Sequence, residues 1–252
     1  MAEIPMREGY GRALADYGEV NPNVVVLDAD TSASTLTHFF AQRFPERFFN
    51  IGIAEPCMVD VAVGLALGGK IPFANAFAAL LALRAIEQIR TCVCYARTNV
   101  KLAAHYAGLS DFKDGPTHHS ITDIALMRSL PEMTVIVPAD TVEAAKWVPV
   151  VAEYEGPVYL RISRAATLPV HDERLQLNIG QGITLRPGSD VTIISTGSMV
   201  GRSLLAAEQL AKEGISARVL EIHTIKPLDG TLVQQTACLL YTSPSPRDRT
   251  RS

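Results

Sequence analysis

The sequence predicts an α/β protein: a doubly wound, mainly parallel sheet followed by an incomplete α/β unit. Short runs that are apolar throughout alternate with stretches of helical periodicity, and strands apolar on both faces call for a parallel sheet covered on both sides. A hydrophobic share of 48% and a charged share of 19% over 252 residues allow a full-sized core and argue against disorder. Residues 166–189, with Pro169, Asn178, Gly180, Gly182, Pro187 and Gly188, break the alternation and read as a linker. The expected organisation is therefore a first domain at 1–165, the linker, a second unit at 190–238 and a foreign tail at 239–252.

Residues 24–28 form a short apolar strand ending on Asp28, and 48–52 form a second. Small and apolar residues at 56–67 read as a helix closed by Gly68 and Gly69. Residues 71–74 are a third strand. The stretch 77–95 reads as one long helix with Leu80, Leu83, Ile86 and Cys94 on a broad apolar face. A fourth strand at 100–104 leads into a polar, glycine-rich loop at 108–119, a helix at 121–130 and a strand at 134–138. Asp140 can cap the next helix, with Glu143 three residues on in a box-like arrangement. Pro149 is expected to kink or stop that helix early. A sixth strand follows at 158–162. In the second unit, 190–197 is a strand and turn. Its helix has Val200, Leu204, Ala207 and Ala211 on one face, a Glu208/Lys212 pair, and Gly214 at its end. One more strand at 216–223 leaves this unit too small to be a whole domain.

Composition excludes several function classes. No run of about 18 apolar residues occurs and the N-terminus has no apolar signal stretch, so neither a membrane span nor secretion is expected. Four cysteines (Cys57, Cys92, Cys94 and Cys238) make neither a disulfide framework nor paired metal clips, which fits a cytoplasmic chain with reduced thiols. Cys92 and Cys94 are read as packing residues. A net charge of −3 gives no support for a nucleic-acid partner. The end of the chain carries Arg247, Arg249 and Arg251 against Asp248 without periodicity. A basic arm for an anionic partner is one reading; the preferred one is a translated adaptor remnant, with the natural chain continuing beyond Cys238.

In a parallel sheet, ligands sit beyond the carboxyl ends of the strands. Asp28, Asp30, Glu55, Phe73, Phe77, residues 106–119, Arg161 and Arg164 all fall there. Glu55 precedes Pro56 at a helix start, where it is either a carboxylate stabilised by the helix dipole or a buried acid able to exchange a proton. The Asp114-Gly-Pro-Thr-His118-His119 run joins turn residues to two imidazoles, side chains able to accept or donate protons. It is an exposed turn or a proton-handling loop, and a metal site there is not expected. Phe73 and Phe77 are core residues or cofactor contacts. Arg161 and Arg164 could clamp a phosphate or pair with surface acids, and Ser34 could bond a phosphate oxygen or cap a helix. No G-x-G-x-x-G, Walker loop or G-x-S-x-G occurs.

Four motifs in order carry a family resemblance: Phe-Asn-Ile-Gly-Ile-Ala-Glu55, Ile-Pro-Phe-Ala-Asn-Ala-Phe77, Gly-Leu-Ser with Asp-Gly-Pro-Thr-His118, and Arg-Ser-Leu-Pro with Val-Pro-Ala-Asp140. Together they resemble transketolases, and more specifically the C-terminal, pyrimidine-binding subunit of two-chain bacterial transketolases. The resemblance runs from about Arg7 to Asp229. It implies an enzyme of carbohydrate metabolism, as in the pentose phosphate pathway. Such an enzyme moves a two-carbon ketol unit from a ketose phosphate to an aldose phosphate on thiamine diphosphate. By that resemblance Glu55 hydrogen-bonds the aminopyrimidine ring and promotes the tautomer that takes the thiazolium proton. Phe77 stacks on that ring, Phe73 flanks it and Asp30 lies close by. Asp114 and His118 hold substrate hydroxyls, His118 with a catalytic role, while Ser34 and Arg164 contact the substrate phosphate.

The chain departs from the family at Pro56 and Cys57, at Tyr106 where a histidine is usual (His105 stands one place earlier), and at His119 where Gln is usual. It also lacks the Gly-Asp-Gly…Asn motif that binds Mg²⁺ and diphosphate. The resemblance therefore implies an N-terminal partner subunit carrying the Mg²⁺ ligands, in an α2β2-type hetero-oligomer, and an isolated chain without activity. Three rivals are a 2-oxoacid dehydrogenase beta subunit, a deoxyxylulose-phosphate-synthase-like enzyme, and a non-catalytic scaffold that kept the fold.

Overall fold

The computed structural model describes residues 5–238, and the expected foreign tail lies outside them. The first unit runs α1 (Met6–Val20), β1 (Val24–Asp28), α2 (Ser32–Thr35), α3 (His38–Arg43), β2 (Phe48–Asn50), α4 (Glu55–Leu67), β3 (Ile71–Phe77), α5 (Ala78–Arg84) and α6 (Ile86–Gln88). After a π-helical segment, Ile89–Tyr95, come β4 (Lys101–His105), α7 (Asp123–Ser129), β5 (Thr134–Ile136), α8 (Thr141–Glu153) and β6 (Val158–Arg161). The second unit holds β7 (Ile183–Arg186), β8 (Val191–Ser195), α9 (Met199–Lys212), β9 (Ala217–Glu221), β10 (Thr224–Lys226) and α10 (Gly230–Cys238).

The large sheet has the order β10-β5-β6-β4-β3-β1-β2, parallel except at its β10 edge. Successive residues of its strands enter opposite cores. Val25, Leu27, Ala74, Leu102 and Val135 pack under α4, α5 and the π-helical segment, while Val24, Val26, Phe73, Ala103, Ile136 and Leu160 pack with residues of α1 and α8. Burial on both faces is the physical reason the strands are apolar throughout.

Several expectations are corrected. Helix α1 carries no clear signal because Gly9, Gly11 and Gly18 dilute its propensity, although Met6, Tyr10 and Leu14 recur every fourth residue. Close packing requires those glycines: a Cβ at Gly9 would stand 2.5 Å from the Thr141 carbonyl oxygen, and one at Gly18 would stand 2.4 Å from the Phe40 ring. The single helix expected at 77–95 is broken at Ala85, whose ψ of 14° ends α5; Phe77 belongs to β3, and Leu83 is exposed rather than on an apolar face. Pro149 does not stop α8, which runs on to Glu153. Pro149 and Ala145, whose carbonyl it leaves without a helical donor, both lie on the half-buried side of that helix. The linker contains strand β7, which pairs antiparallel with β9 in a β7-β9-β8 sheet, and β10 returns to pair with β5 of the large sheet. The Lys212 ammonium donates to Gln209 at 3.2 Å instead of pairing with Glu208.

The capping expectation holds at Asp140, whose Oδ1 accepts from Glu143 N at 2.9 Å. Its Oδ2 accepts from the backbone N–H groups of Val170 and His171, both at 2.7 Å, and so fixes the linker to α8. His171 in turn reaches the second unit, its Nε2 lying 2.7 Å from Glu221 Oε2 and 4.0 Å from Glu143 Oε2. Burial raises the pKa of both carboxyl groups, that of Glu221 to about 7. A carboxyl group raised in the folded state binds protons more tightly there, so its contribution is full at low pH and is lost as pH rises through about 7. Wild-type stability in urea is therefore expected to fall by roughly 2–3 kcal/mol more than that of Glu221→Gln between about pH 5 and 8. Parallel pH dependences in the two proteins would rule this out.

Candidate active site

The chemically active side chains gather beyond the carboxyl ends of β1, β3, β4 and β6, positioned by the turns that leave those strands. Buried Asp28 closes β1, and its oxygens accept from the hydroxyls of Thr31, Thr35 and Thr37, each at 2.9 Å. That network shapes the turn carrying Asp30 and Ser34. Asp30 adopts φ +62° and exchanges two hydrogen bonds with Asn50 at the end of β2: its N–H reaches Asn50 Oδ1 at 3.1 Å, and Asn50 Nδ2 reaches Asp30 Oδ1 at 3.0 Å.

Tyr106 follows β4 and is the centre of the cluster. Its ring stacks on Phe77 with centroids 4.4 Å apart, and Phe77 also meets the His118 ring edge-on at 5.6 Å. The Arg164 guanidinium lies 4.6 Å from the Tyr106 ring centroid, a cation–π contact. Arg7, at the start of α1, donates to the Tyr106 hydroxyl at 3.1 Å and to the Ser34 carbonyl at 2.8 Å, and its buried Nε has no partner. Tyr106 holds φ +60°, a costly conformation for a bulky residue that the surrounding contacts maintain.

Arg164 is countered by acids. Its Nη1 bonds Asp111 Oδ1 and stands 3.9 Å from Asp114 Oδ2. Burial, helped by neighbouring Asp114, raises the Asp111 pKa against the opposing pull of Arg164, and its Oδ2 is buried without a partner. His118 Nδ1 lies 3.0 Å from the Thr117 hydroxyl. Its Nε2 has no hydrogen-bond partner among the described residues, so it can face a ligand.

Glu55 opens α4 and is only 2% exposed. Both its oxygens take one donor, Arg84 Nη1, at 3.2 and 3.1 Å. A carboxylate has about four lone-pair positions, so Glu55 keeps capacity for a further donor. Beside this pair Ile53 is 72% exposed and Leu83 is 57% exposed, and Leu109, Phe112 and Ile121 of the neighbouring loop are exposed as well. Five exposed apolar side chains thus stand in the segments that flank Glu55 and Arg84 and in the loop after β4.

The structure thus brings Ser34, Phe77, Asp114, His118 and Arg164 into one cluster, with Glu55 on α4 and Asp30 after β1 at the same end of the sheet. Phe73 is not among them: it is fully buried in the core with residues of α1 and α8. Arg161 is occupied as well, its Nε donating to Asp123 at 2.7 Å. His105 does not stand in for the histidine usual at Tyr106. It is buried against Asn75 and Tyr10, and burial followed by the charge of Arg7 lowers its pKa to about 3. Arg7 and Arg84 were missed by reading the sequence. The four-residue repeat of Met6, Tyr10 and Leu14 was the one signal that could have placed Arg7 on a helix.

Among the described residues, one trio has metal-ligand chemistry: Glu143, His171 and Glu221, whose ligand atoms lie within 4.8 Å of one another. His171 Nε2 is bonded to Glu221 Oε2 and the Glu143 oxygens to Ala139 N and Trp147 Nε1, so the trio is a hydrogen-bonded cluster, with Glu221 Oε1 buried beside it without a partner.

Comparison with known proteins adds independent findings. The model of the transketolase pyrimidine-binding domain matches residues 2–169, and that of the transketolase C-terminal domain matches residues 180–243. The chain is 44% identical over 239 residues to a putative transketolase C-terminal section of Methanocaldococcus jannaschii, covering 94% of this chain and 76% of the relative. It is 39% identical over 232 residues to a 6-deoxy-6-sulfo-D-fructose transketolase subunit, SqwH, of Clostridium sp., covering 92% and 72%. Among solved structures, a split-gene transketolase described as an inactive beta4 tetramer superposes with a TM-score of 0.87 at 47% identity, covering 95% of this chain and 78% of that one.

Proposed function

Since this chain belongs to the transketolase family, we propose that it is the pyrimidine-binding subunit of a thiamine-diphosphate-dependent transketolase whose N-terminal half is a separate chain. The observation that carries this reading is Glu55, a buried carboxylate with spare acceptor capacity, flanked by exposed apolar side chains. The residues present fit the pyrimidine end of the cofactor. Glu55 would hold its ring nitrogen, Phe77 would offer an aromatic face and Asp30 would lie near by. Bound thiamine diphosphate supplies an electron sink for breaking a carbon–carbon bond next to a ketose carbonyl. Mg²⁺ and the diphosphate would be held by the partner.

The chain's own residues would do the rest. Glu55 holds or releases a proton at its carboxylate. His118 Nε2 and Asp114 orient and deprotonate substrate hydroxyls. Arg7, Arg164 and the Ser34 turn bind the charged end of the sugar, while the exposed apolar rim docks the partner and excludes water. No helix among the described residues is long and apolar enough to cross a membrane, and a cytoplasmic location is part of this reading.

A second substrate reading rests on charge. Asp111 and Asp114 already counter Arg164, which leaves Arg7 as the cation of the cluster without an acid partner among the described residues. That balance suits a singly charged head group, such as a sulfonate, better than a phosphate dianion.

Reconstitution tests the proposal. The purified chain alone should transfer no ketol units. Adding an N-terminal transketolase chain with the Gly-Asp-Gly…Asn motif, thiamine diphosphate and Mg²⁺ should restore transfer, and phosphate- and sulfonate-terminated ketoses can then be ranked by kcat/KM. Full activity of the isolated chain would overturn the subunit reading.

A further inference from the structure

Two arginines flank Tyr106: Arg7 donates to its hydroxyl at 3.1 Å, and the Arg164 guanidinium lies 4.6 Å from its ring centroid. They meet an incoming anion on unequal terms. Arg7 has no acid partner among the described residues, its bonds going to the Tyr106 hydroxyl and the Ser34 carbonyl. Arg164 is held on one side by the Tyr106 ring and on the other by fully buried Asp111, whose Oδ1 accepts from its Nη1.

The backbone builds this pairing in. The N–H of Arg164 donates to the Ser110 hydroxyl at 3.1 Å, and that hydroxyl donates to the Ala107 carbonyl at 2.6 Å. The N–H of Ala107 donates to the Ile162 carbonyl at 3.1 Å, and His119 Nε2 lies 3.0 Å from the Asp111 carbonyl oxygen. The loop after β4 is thereby tied to the segment after β6 around the ion pair, which keeps Asp111 on Arg164 when a ligand arrives. Two cations and one fixed carboxylate leave a single net positive charge for that ligand, and Asp114, 3.9 Å from Arg164 Nη1, reduces it further. A phosphate monoester carries about −1.5 to −2 at pH 7. A sulfonate carries one negative charge whatever the pH.

Resting on the proposed ketol transfer, we infer that Asp111 is a positioning residue that sets the charge of the substrate. By holding Arg164 it makes the site select ketoses ending in a sulfonate over those ending in a phosphate. Asp111 touches no substrate, because its carboxylate is buried beneath the arginine it holds. Without that carboxylate both guanidinium groups would be free to close on a dianion.

Anion binding to the full chain tests this without the partner subunit. The Nε–Hε signals of ¹⁵N-labelled arginine, assigned through Arg7→Gln and Arg164→Gln, are followed at about pH 8, where methyl phosphate is a dianion. Methanesulfonate should saturate the Arg7 shift in the wild type at a lower midpoint than methyl phosphate. Asp111→Asn should reverse that order, tightening methyl phosphate by about tenfold while methanesulfonate changes by less than about threefold. Asn keeps the volume and one acceptor for Arg164 Nη1, and the Oδ2 it replaces has no partner among the described residues, so the fold is preserved. A purely structural role for Asp111 would weaken both anions alike. Tighter methyl phosphate in the wild type, an unreversed order in Asp111→Asn, or no saturable Arg7 shift with either anion would overturn the inference. The wild-type order needs no variant and stands as a test by itself. Binding in the expected order by a chain whose reconstituted complex transfers no ketol units would overturn the ketol-transfer reading and still support the role of Asp111.

Discussion

Glu55→Gln is expected to lower kcat of the reconstituted complex by about a thousandfold while leaving assembly and folding intact. Gln fills the same volume and keeps one acceptor for Arg84, but it can neither carry the negative charge nor take and return a proton. The stability cost should stay small because Arg84 is half exposed: with its side chain 48% accessible, water can solvate the charge that the substitution leaves unpaired. Steady-state kinetics on the complex, with size-exclusion chromatography for assembly, separates the roles. A scaffold would be indifferent to the change, so turnover within threefold of wild type would remove Glu55 from the chemistry.

Trp147→Ala should have the largest effect on stability. Trp147 is fully buried in the core with residues of α1 and α8, its Nε1 donates to Glu143 Oε1 at 2.9 Å, and its ring meets His223 edge-on at 5.0 Å. Truncation removes the ring, opens a cavity and takes a donor from a buried carboxyl group, for a loss of about 4–6 kcal/mol. That is a large part of the 5–15 kcal/mol by which domains are typically stable. Trp147→Phe keeps most of the volume and loses the hydrogen bond, so about 1–2 kcal/mol is expected. Trp147 is the sole tryptophan, so unfolding must be followed by circular dichroism. Equal losses in the two variants would show that the hydrogen bond, not the packing, dominates.

Elements whose signal is local were legible in the sequence. Strand β1, with five buried residues in succession, could belong only to a sheet covered on both sides. The Asp140 cap was readable because its partner stands three residues away. Helix α1 was not readable, because the feature that makes it fit, close approach at Gly9 and Gly18, is the one that lowers its helix propensity. Pro149 misled for a related reason: a local rule against proline gave way where the orphaned carbonyl lies on a half-buried side of the helix.

The candidate site divides in the same way. The sequence by itself determined the parallel α/β architecture, the family resemblance and the residue types at the strand ends, because apolar runs, turn residues and ordered motifs are written along the chain. Only the tertiary structure decided which of those residues meet. It placed Phe77 against Tyr106 and His118 but buried Phe73 in the core, since Phe77 is the last residue of β3 while Phe73 faces the helices midway along it. It gave Arg161 to Asp123 and Arg164 to Tyr106 and Asp111. It brought Arg7 from 27 residues before Ser34 into the same cluster. Such pairings depend on crossover connections between strands that are neighbours in the sheet and distant in the chain, and no local pattern of residues encodes that distance.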